Sequence, residues 1–212
     1  EDTITLGTLP AIVINAEDGD GDAVSGGISL TVDVIDDIPV VTDATATLSV
    51  DEDGFDDANV DSDPLATGET DGDENLTDSG DLSGTDFVDW GADGFGRITS
   101  VVIGDADPID MPETVDASGS VDIYFNADGT VDDDGTDGTS AGRLTVNEDG
   151  TYDFELLTEM THGDGNDEDT LTLGTLSAIV INAEDGDGDA VSGGISLTVD
   201  VLDDIPEASV VL

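Results

Sequence analysis

The chain has no cysteine, so a protein that otherwise reads as extracellular has no disulfide framework to rely on. It has no lysine either, and its two basic side chains, Arg97 and Arg143, face 54 acidic ones for a formal net charge of -52. Nucleic acid, heparin and anionic lipid each need a basic footprint that two arginines cannot supply, so none is expected as a partner. A single histidine, His162, and the lack of any thiol leave few groups for a tuned acid, base or nucleophile. Aromatic residues make up 4% of the chain, with Trp90 the lone tryptophan, which is little for the aromatic platforms that sugar sites usually present. No run of 18 apolar residues and no basic-then-apolar leader occurs, so neither a membrane-spanning helix nor a cleavable N-terminal signal is expected within these residues.

What the chain has in excess is short carboxylates. Of the 54 acids 12 are Glu and 42 are Asp, and much of the Asp alternates with Gly, of which there are 27. A compact chain carrying this charge repels itself, and with so few basic groups the neutralising charge must come from solution. Short carboxylates on tight, Gly-permitted loops are how proteins wrap a hard, oxygen-loving cation, which points to calcium, Ca2+, as the partner. The competing reading of such acidity is a disordered tail. It is disfavoured by an apolar content of 36% whose Val, Ile and Leu fall in alternating runs.

The chain is internally duplicated. Residues 1–39 recur at 168–206 with 36 of 39 positions identical, the changes being Ile4/Leu171, Pro10/Ser177 and Ile35/Leu202, at a period of 167 residues. Copying of this fidelity marks a tandem array. Residues 40–206 are then one complete repeat, 1–39 the C-terminal hairpin and linker of its predecessor, and 207–212 the start of the next. Adjacent repeats of the same polypeptide are accordingly expected partners, in an array that is otherwise monomeric. A hairpin cut from its sheet is marginal on its own.

Alternation sets the fold class. In Ile28-Ser29-Leu30-Thr31-Val32-Asp33-Val34 every second residue is apolar, and the copy repeats this with Ile195, Leu197, Val199 and Val201, the period of a half-buried strand. Further strands are expected over 44–50, 98–103, 121–125, 144–146, 151–157 and 171–182, with Asp-Gly and Asn-rich turns between them. The expectation is an all-β, immunoglobulin-like antiparallel β-sandwich, enlarged by extra loops or strands within the polar stretch 51–86.

Two motifs carry the metal chemistry. In Asn15-Ala16-Glu17-Asp18-Gly19-Asp20-Gly21-Asp22-Ala23 the carboxylates of Asp18, Asp20 and Asp22 alternate with Gly, and the copy places Asp185, Asp187 and Asp189 likewise. Such spacing aims successive carboxylates at one centre. The loop is not an EF-hand, because Ala23 stands where that loop needs Gly, Ser29 where it needs Glu, and the flanks are strands. Its competitor is a solvated hairpin turn. The second motif is Val34-Ile35-Asp36-Asp37-Ile38-Pro39, with its copy ending in Asp203, Asp204, Ile205 and Pro206. Paired acids before a Pro that ends strand pairing read either as a calcium-bearing linker or as a plain one.

Strand alternation links these motifs. If the last strand ends at one pole of a sandwich, the loop before it lies at the other, beside the entry linker, and so does the turn holding Glu148 and Asp149. Asp36, Asp37, the loop at 185–189 and this turn are therefore expected to converge, repelling without metal and cross-linking with it. The acids around Asp51-Glu52-Asp53-Gly54, Asp71/Asp73/Asn75, Asp132/Asp134 and Asp164/Asn166/Glu168 read equally well as solvated turns. His162 reads as a turn residue and Trp90 as core.

The series Val50-Asp51-Glu52-Asp53-Gly54, Gly91-Ala92-Asp93-Gly94, Asn147-Glu148-Asp149-Gly150-Thr151-Tyr152-Asp153-Phe154, Ala183-Glu184-Asp185-Gly186-Asp187-Gly188-Asp189-Ala190-Val191-Ser192 and Val199-Asp200-Val201-Leu202-Asp203-Asp204-Ile205-Pro206 resembles the long tandem repeat, or extender domain, of giant RTX-type adhesins that bacteria secrete through type I systems. The resemblance covers essentially all of 40–206. It implies an extracellular, calcium-rich, immunoglobulin-like stalk on the bacterial cell surface that carries a ligand-binding tip outward in biofilm or surface attachment. By position, it implies calcium ligands in the 185–189 loop and at Asp203 and Asp204.

The expected function is thus a calcium-rigidified spacer and not an enzyme. Two carboxylates can suffice for glycoside hydrolysis, but with 54 acids such pairs arise by chance, and catalysis also needs a cleft with tuned groups. A carbohydrate- or surface-binding adhesin module is the alternative. Tandem copying favours the spacer, since added length is useful where duplicated tips usually are not.

Overall fold

The computed structural model describes residues 3–5, 12–26, 28–55, 75–112, 119–132, 140–163, 170–174 and 178–203. The protein is all-β, with no α-helix among these residues, and it divides into two compact units, Glu1–Ile38 and Pro39–Leu212. The expected start of a further repeat at 207–212 lies outside the described residues, as do residues 56–74 of the polar stretch.

In the second unit one strand organises the rest. The final strand, β16 (Ile195–Leu202), turns Ile195, Leu197, Val199 and Val201 inward, each 1% exposed or less. Along one edge it pairs in parallel with β6 (Thr45–Asp51), from Ser196 opposite Thr45 to Leu202 opposite Asp51. This pair is an exception to the expected antiparallel order. Along its other edge lie β14 (Thr170–Leu173) and β15 (Ile179–Asp185), both antiparallel to it. These two correct the single strand expected over 171–182. Gly174 interrupts that strand with φ of +90°, at a spot where a Cβ would lie 2.9 Å from the Leu197 carbonyl oxygen. Only Gly accepts both conditions. The sheet continues through β9 (Phe95–Ile103) to β10 (Ile109–Asp110).

A second sheet has the order β11 (Ser120–Phe125), β12 (Gly142–Asn147), β13 (Thr151–Leu156), β7 (Thr77–Asp81), all antiparallel. The inward residues of both sheets share one apolar core. Leu48, Ile98, Val101 and Ile181 come from the first sheet, and Phe125, Leu144, Phe154 and Leu156 from the second. Trp90 joins them at 3% exposure, as expected, with its indole N–H donating to the Gly84 carbonyl at 2.8 Å. Two short strands, β5 (Val40–Val41) and β8 (Val88–Asp89), pair beside the entry of the chain.

Parallel pairing of β6 with β16 fixes the poles. The chain enters β6 at the end where β16 begins and leaves β16 at the end where β6 finishes. Eight residues of strand separate these two ends by about 25 Å.

The first unit repeats the local pairing without a core among its described residues. Its strands are β1 (Thr3–Thr5), β2 (Ile12–Ile14), β3 (Ile28–Leu30) and β4 (Asp33–Ile35), paired as β1 with β4 and β2 with β3. The expected single hairpin is thus two separate pairs. Every register matches that of the second copy: Ile12 opposite Leu30 mirrors Ile179 opposite Leu197, and Thr3 opposite Ile35 mirrors Thr170 opposite Leu202. Burial does not match. Leu30 is 44% exposed where Leu197 is 1%, and Val34 is 50% exposed where Val201 is 0%. Local sequence sets the pairing, whereas burial comes from strands at a distance in sequence such as β6, β9 and β13.

The duplication gives an internal control for this statement. Leu197→Ala is expected to cost about 2–5 kcal/mol of second-unit stability, as for a well-packed core leucine. Leu30→Ala, the same change in the same local sequence, should move it by less than about 0.5 kcal/mol. Urea unfolding followed by the fluorescence of Trp90, which reports on the second unit, measures both.

Candidate metal centre

The aspartate loop is built from its own backbone. At the end of β15, the Asp185 N–H donates to the Asp189 carbonyl at 3.0 Å and the Gly188 N–H to the Asp185 carbonyl at 3.2 Å. Gly188 turns the chain with φ of +105°. The Asp185 side chain then closes the loop, its Oδ1 accepting from the N–H groups of Gly188 at 3.1 Å and Asp189 at 2.8 Å. Asp185, Asp187 and Asp189 each bring a ligand atom within 4.8 Å of the others. Two oxygens on opposite sides of a calcium ion, each about 2.4 Å from it, are about 4.8 Å apart, so the cluster has the span of one coordination shell.

Burial distinguishes this loop from a solvated turn. Asp185 is 2% exposed, and its Oδ2 is buried with no hydrogen-bond partner among the described residues. A buried carboxylate oxygen left unpaired is costly, by about 1–3 kcal/mol or more for a charged group. A cation among the three carboxylates would remove that cost.

The burial is achieved by a β-bulge in β9. Arg97 stands opposite Glu184 and Phe95 opposite Asp185, so Gly96 is the extra residue. A Cβ on Gly96 would lie 1.9 Å from the Asp185 carbonyl oxygen, and one on Gly186 would lie 2.4 Å from that of Asp93. Glycine at both positions lets the backbones close over the loop.

The first copy forms the same loop from the same residues. The Asp18 N–H donates to the Asp22 carbonyl at 3.0 Å, and Asp18 Oδ1 accepts from the N–H groups of Asp20 and Asp22 at 3.2 and 3.0 Å. Asp18, Asp20 and Asp22 also bring their ligand atoms within 4.8 Å of one another, but all three are exposed. The Asp18 carboxyl is held below the ordinary aspartate range, first by hydrogen bonding with the Asp20 side chain and then by the N–H groups of Asp22 and Asp20.

Glu148 and Asp149 lie at the same pole of the second unit as the 185–189 loop, held there by Arg97. Its Nε donates to Glu184 Oε1 at 2.8 Å and its Nη1 to Glu148 Oε1 at 3.4 Å. Glu148 thus shares its charge with a guanidinium, and these two carboxylates raise the Arg97 pKa, Glu184 foremost. Asp149 closes its turn instead, Oδ1 accepting from Thr151 Oγ1 at 2.6 Å and from its N–H at 3.1 Å, which holds the Asp149 carboxyl below the ordinary range. Asp36 and Asp37 follow β4 at the end of the first unit, and Asp203 follows β16. Asp204 lies outside the described residues, as do Asp71, Asp73, Asp134, Asp164, Asn166 and Glu168. Asp132 accepts a hydrogen bond from Ser140 Oγ at 2.7 Å.

At the opposite pole the structure assembles a group that sequence reasoning missed. Glu52, expected in a solvated turn or a weak site, is 3% exposed; Oε1 accepts from the Met160 N–H at 2.6 Å and lies 3.2 Å from His162 Nε2. The His162 side chain is itself 3% exposed, which corrects its reading as a turn residue. Asp203, half-buried, completes a set whose ligand atoms lie within 4.8 Å of one another. Burial pushes the Glu52 carboxyl above the ordinary glutamate range, against the hydrogen bonds from Met160 and His162. A signal was present in the sequence: Ala46, Leu48 and Val50 alternate inward along β6, and Glu52 stands at the next inward position.

The bulge can be tested by adding one carbon. Gly96→Ala is expected to destabilise the second unit by about 1–3 kcal/mol, the usual cost of forcing an atom into a closed contact. Gly84→Ala, where an added Cβ meets nothing within 4 Å, should stay within about 0.5 kcal/mol. Urea midpoints measured in calcium give both values.

No protein family, curated protein or solved structure matches the chain, so its chemistry is read from these residues alone.

Proposed function

We propose that this chain is a calcium-rigidified spacer, an extender module of a long adhesin on the bacterial cell surface, whose work is to project a ligand-binding region away from the cell. The observation that carries the reading is the buried Asp185 Oδ2, unpartnered among the described residues, in a three-carboxylate cluster whose loop the sequence builds twice. A calcium ion there takes charge off a chain that has few basic side chains of its own to do so.

The mechanism is mechanical. Without metal, carboxylates repel and the loops that carry them spread; with metal, each cluster becomes a cross-link. The second unit is suited to serial extension, because its chain enters at one pole and leaves at the other. Asp36 and Asp37 stand three and two residues before Pro39, where one repeat hands over to the next. In the proposed stalk, ions at such handovers hold successive repeats in line. The tip-module alternative needs an exposed aromatic platform, and Trp90, the one tryptophan, is committed to the core.

Calcium titration tests the reading. A site filled at a hundred times its Kd adds about 2.7 kcal/mol, so the second unit should gain about 5–11 °C in Tm per filled site. Asp185→Asn combined with Asp189→Asn should abolish the gain from that loop, and sodium or magnesium at equal ionic strength should not reproduce it. An equal response to all three cations, or an undiminished calcium response in the double variant, would overturn the proposal.

A further inference from the structure

We propose that Glu52, His162 and Asp203 form a second, chemically different metal site, one that takes a divalent transition ion of the zinc type at the pole where the chain leaves the second unit. The inference stands on this pole alone and does not depend on calcium at the other.

Topology brings the three residues together from both sheets. Glu52 begins the 3₁₀ turn, Glu52–Gly54, that follows β6, and Asp203 follows β16, whose last residue, Leu202, lies opposite Asp51. His162 lies six residues beyond β13, a strand of the other sheet. Their ligand atoms fall within 4.8 Å of one another. An ion among them would tie the two sheets and the departing chain at one point.

The donor set selects the ion. Two carboxylates and an imidazole offer two oxygens and one nitrogen, a combination suited to zinc and its neighbours rather than to calcium, which takes oxygen alone. Three protein ligands with a water in the fourth position is a familiar zinc arrangement. Two carboxylates and a neutral imidazole also balance the +2 charge of the ion, which matters for a glutamate that is 3% exposed.

The spacing and burial of the imidazole support the site. The His162 side chain is 3% exposed, and its Nε2 lies 3.2 Å from Glu52 Oε1. Two ligand atoms each about 2.0 Å from a tetrahedral zinc lie about 3.3 Å apart, so these two atoms have the separation of neighbours in one coordination shell. An ion bonded to both would take the place of their contact, with Nε2 as the ligand atom of the imidazole.

The test uses the whole 212-residue chain, stripped with chelator and then saturated with calcium so that the aspartate loops are filled. Zinc is added while the ring-proton NMR signals are followed. His162 is the sole histidine, so these signals need no assignment. One equivalent of zinc is expected to shift them to saturation. Calorimetry on His162→Gln should show zinc affinity reduced by at least about tenfold, the smallest loss seen when even an outer partner of a metal ligand is removed, with calcium binding unchanged. Ring signals unmoved at one equivalent, or zinc binding undiminished in the variant, would overturn the proposal, since zinc would then be held only diffusely by surface carboxylates. If the variant does not fold, the wild-type NMR titration decides the matter alone.

Discussion

The structure depends on where an almost purely anionic chain puts its few cations. Arg97 is spent between Glu148 and Glu184, at the pole where the chain enters the second unit. Arg143 is spent on Glu155, its neighbour across the ladder between β12 and β13. Both are cross-links between strands, and neither reaches the buried oxygen of Asp185 or the buried carboxylate of Glu52. Exposed carboxylates can be left to water and salt. Buried ones cannot, and they occur at the two ends of the sandwich, where strand pairing no longer supplies partners.

The two ends differ in chemistry. At the entry pole, three aspartates on a glycine-rich loop present oxygen alone, and the bulge at Gly96 closes backbone over them. At the exit pole, strand ends from both sheets deliver two carboxylates and an imidazole. If both proposals hold, the two ends of the second unit respond to different ions. The internal copy clarifies what each cluster needs. The aspartate loop closes in the first unit from local sequence, whereas the exit-pole group needs Glu52 and His162, which the 39 duplicated residues do not supply.

The sequence was most legible where structure is local. The alternation in β6, β9, β11, β12, β13 and β16 and the closure of the aspartate loop were all visible as residue patterns. It was less legible where long-range packing decides. β7 reads Thr77-Asp78-Ser79-Gly80-Asp81, with no apolar alternation, because it is held as an edge strand by β13 and by Tyr152, whose ring occupies the space where a Gly80 side chain would be. The break between β14 and β15 turns on one glycine beside Leu197. The pairing of β6 with β16 is parallel, which alternation cannot distinguish from antiparallel. His162 looked inert because a lone histidine in a polar segment carries no period. Its partner Glu52 was hidden by the opposite effect, an acid at an inward position where the alternating pattern leads one to expect an apolar residue.

The central claim is that the aspartate loop around the buried Asp185 carboxylate is a coordination shell for calcium. The most direct measurement is an anomalous difference map from crystals grown in calcium and recorded at a long wavelength. The claim predicts a peak bonded to Asp185 Oδ2, with Asp187 and Asp189 in the same shell and oxygen distances of about 2.3–2.6 Å. A well-ordered loop with no anomalous peak beside Asp185 would contradict it.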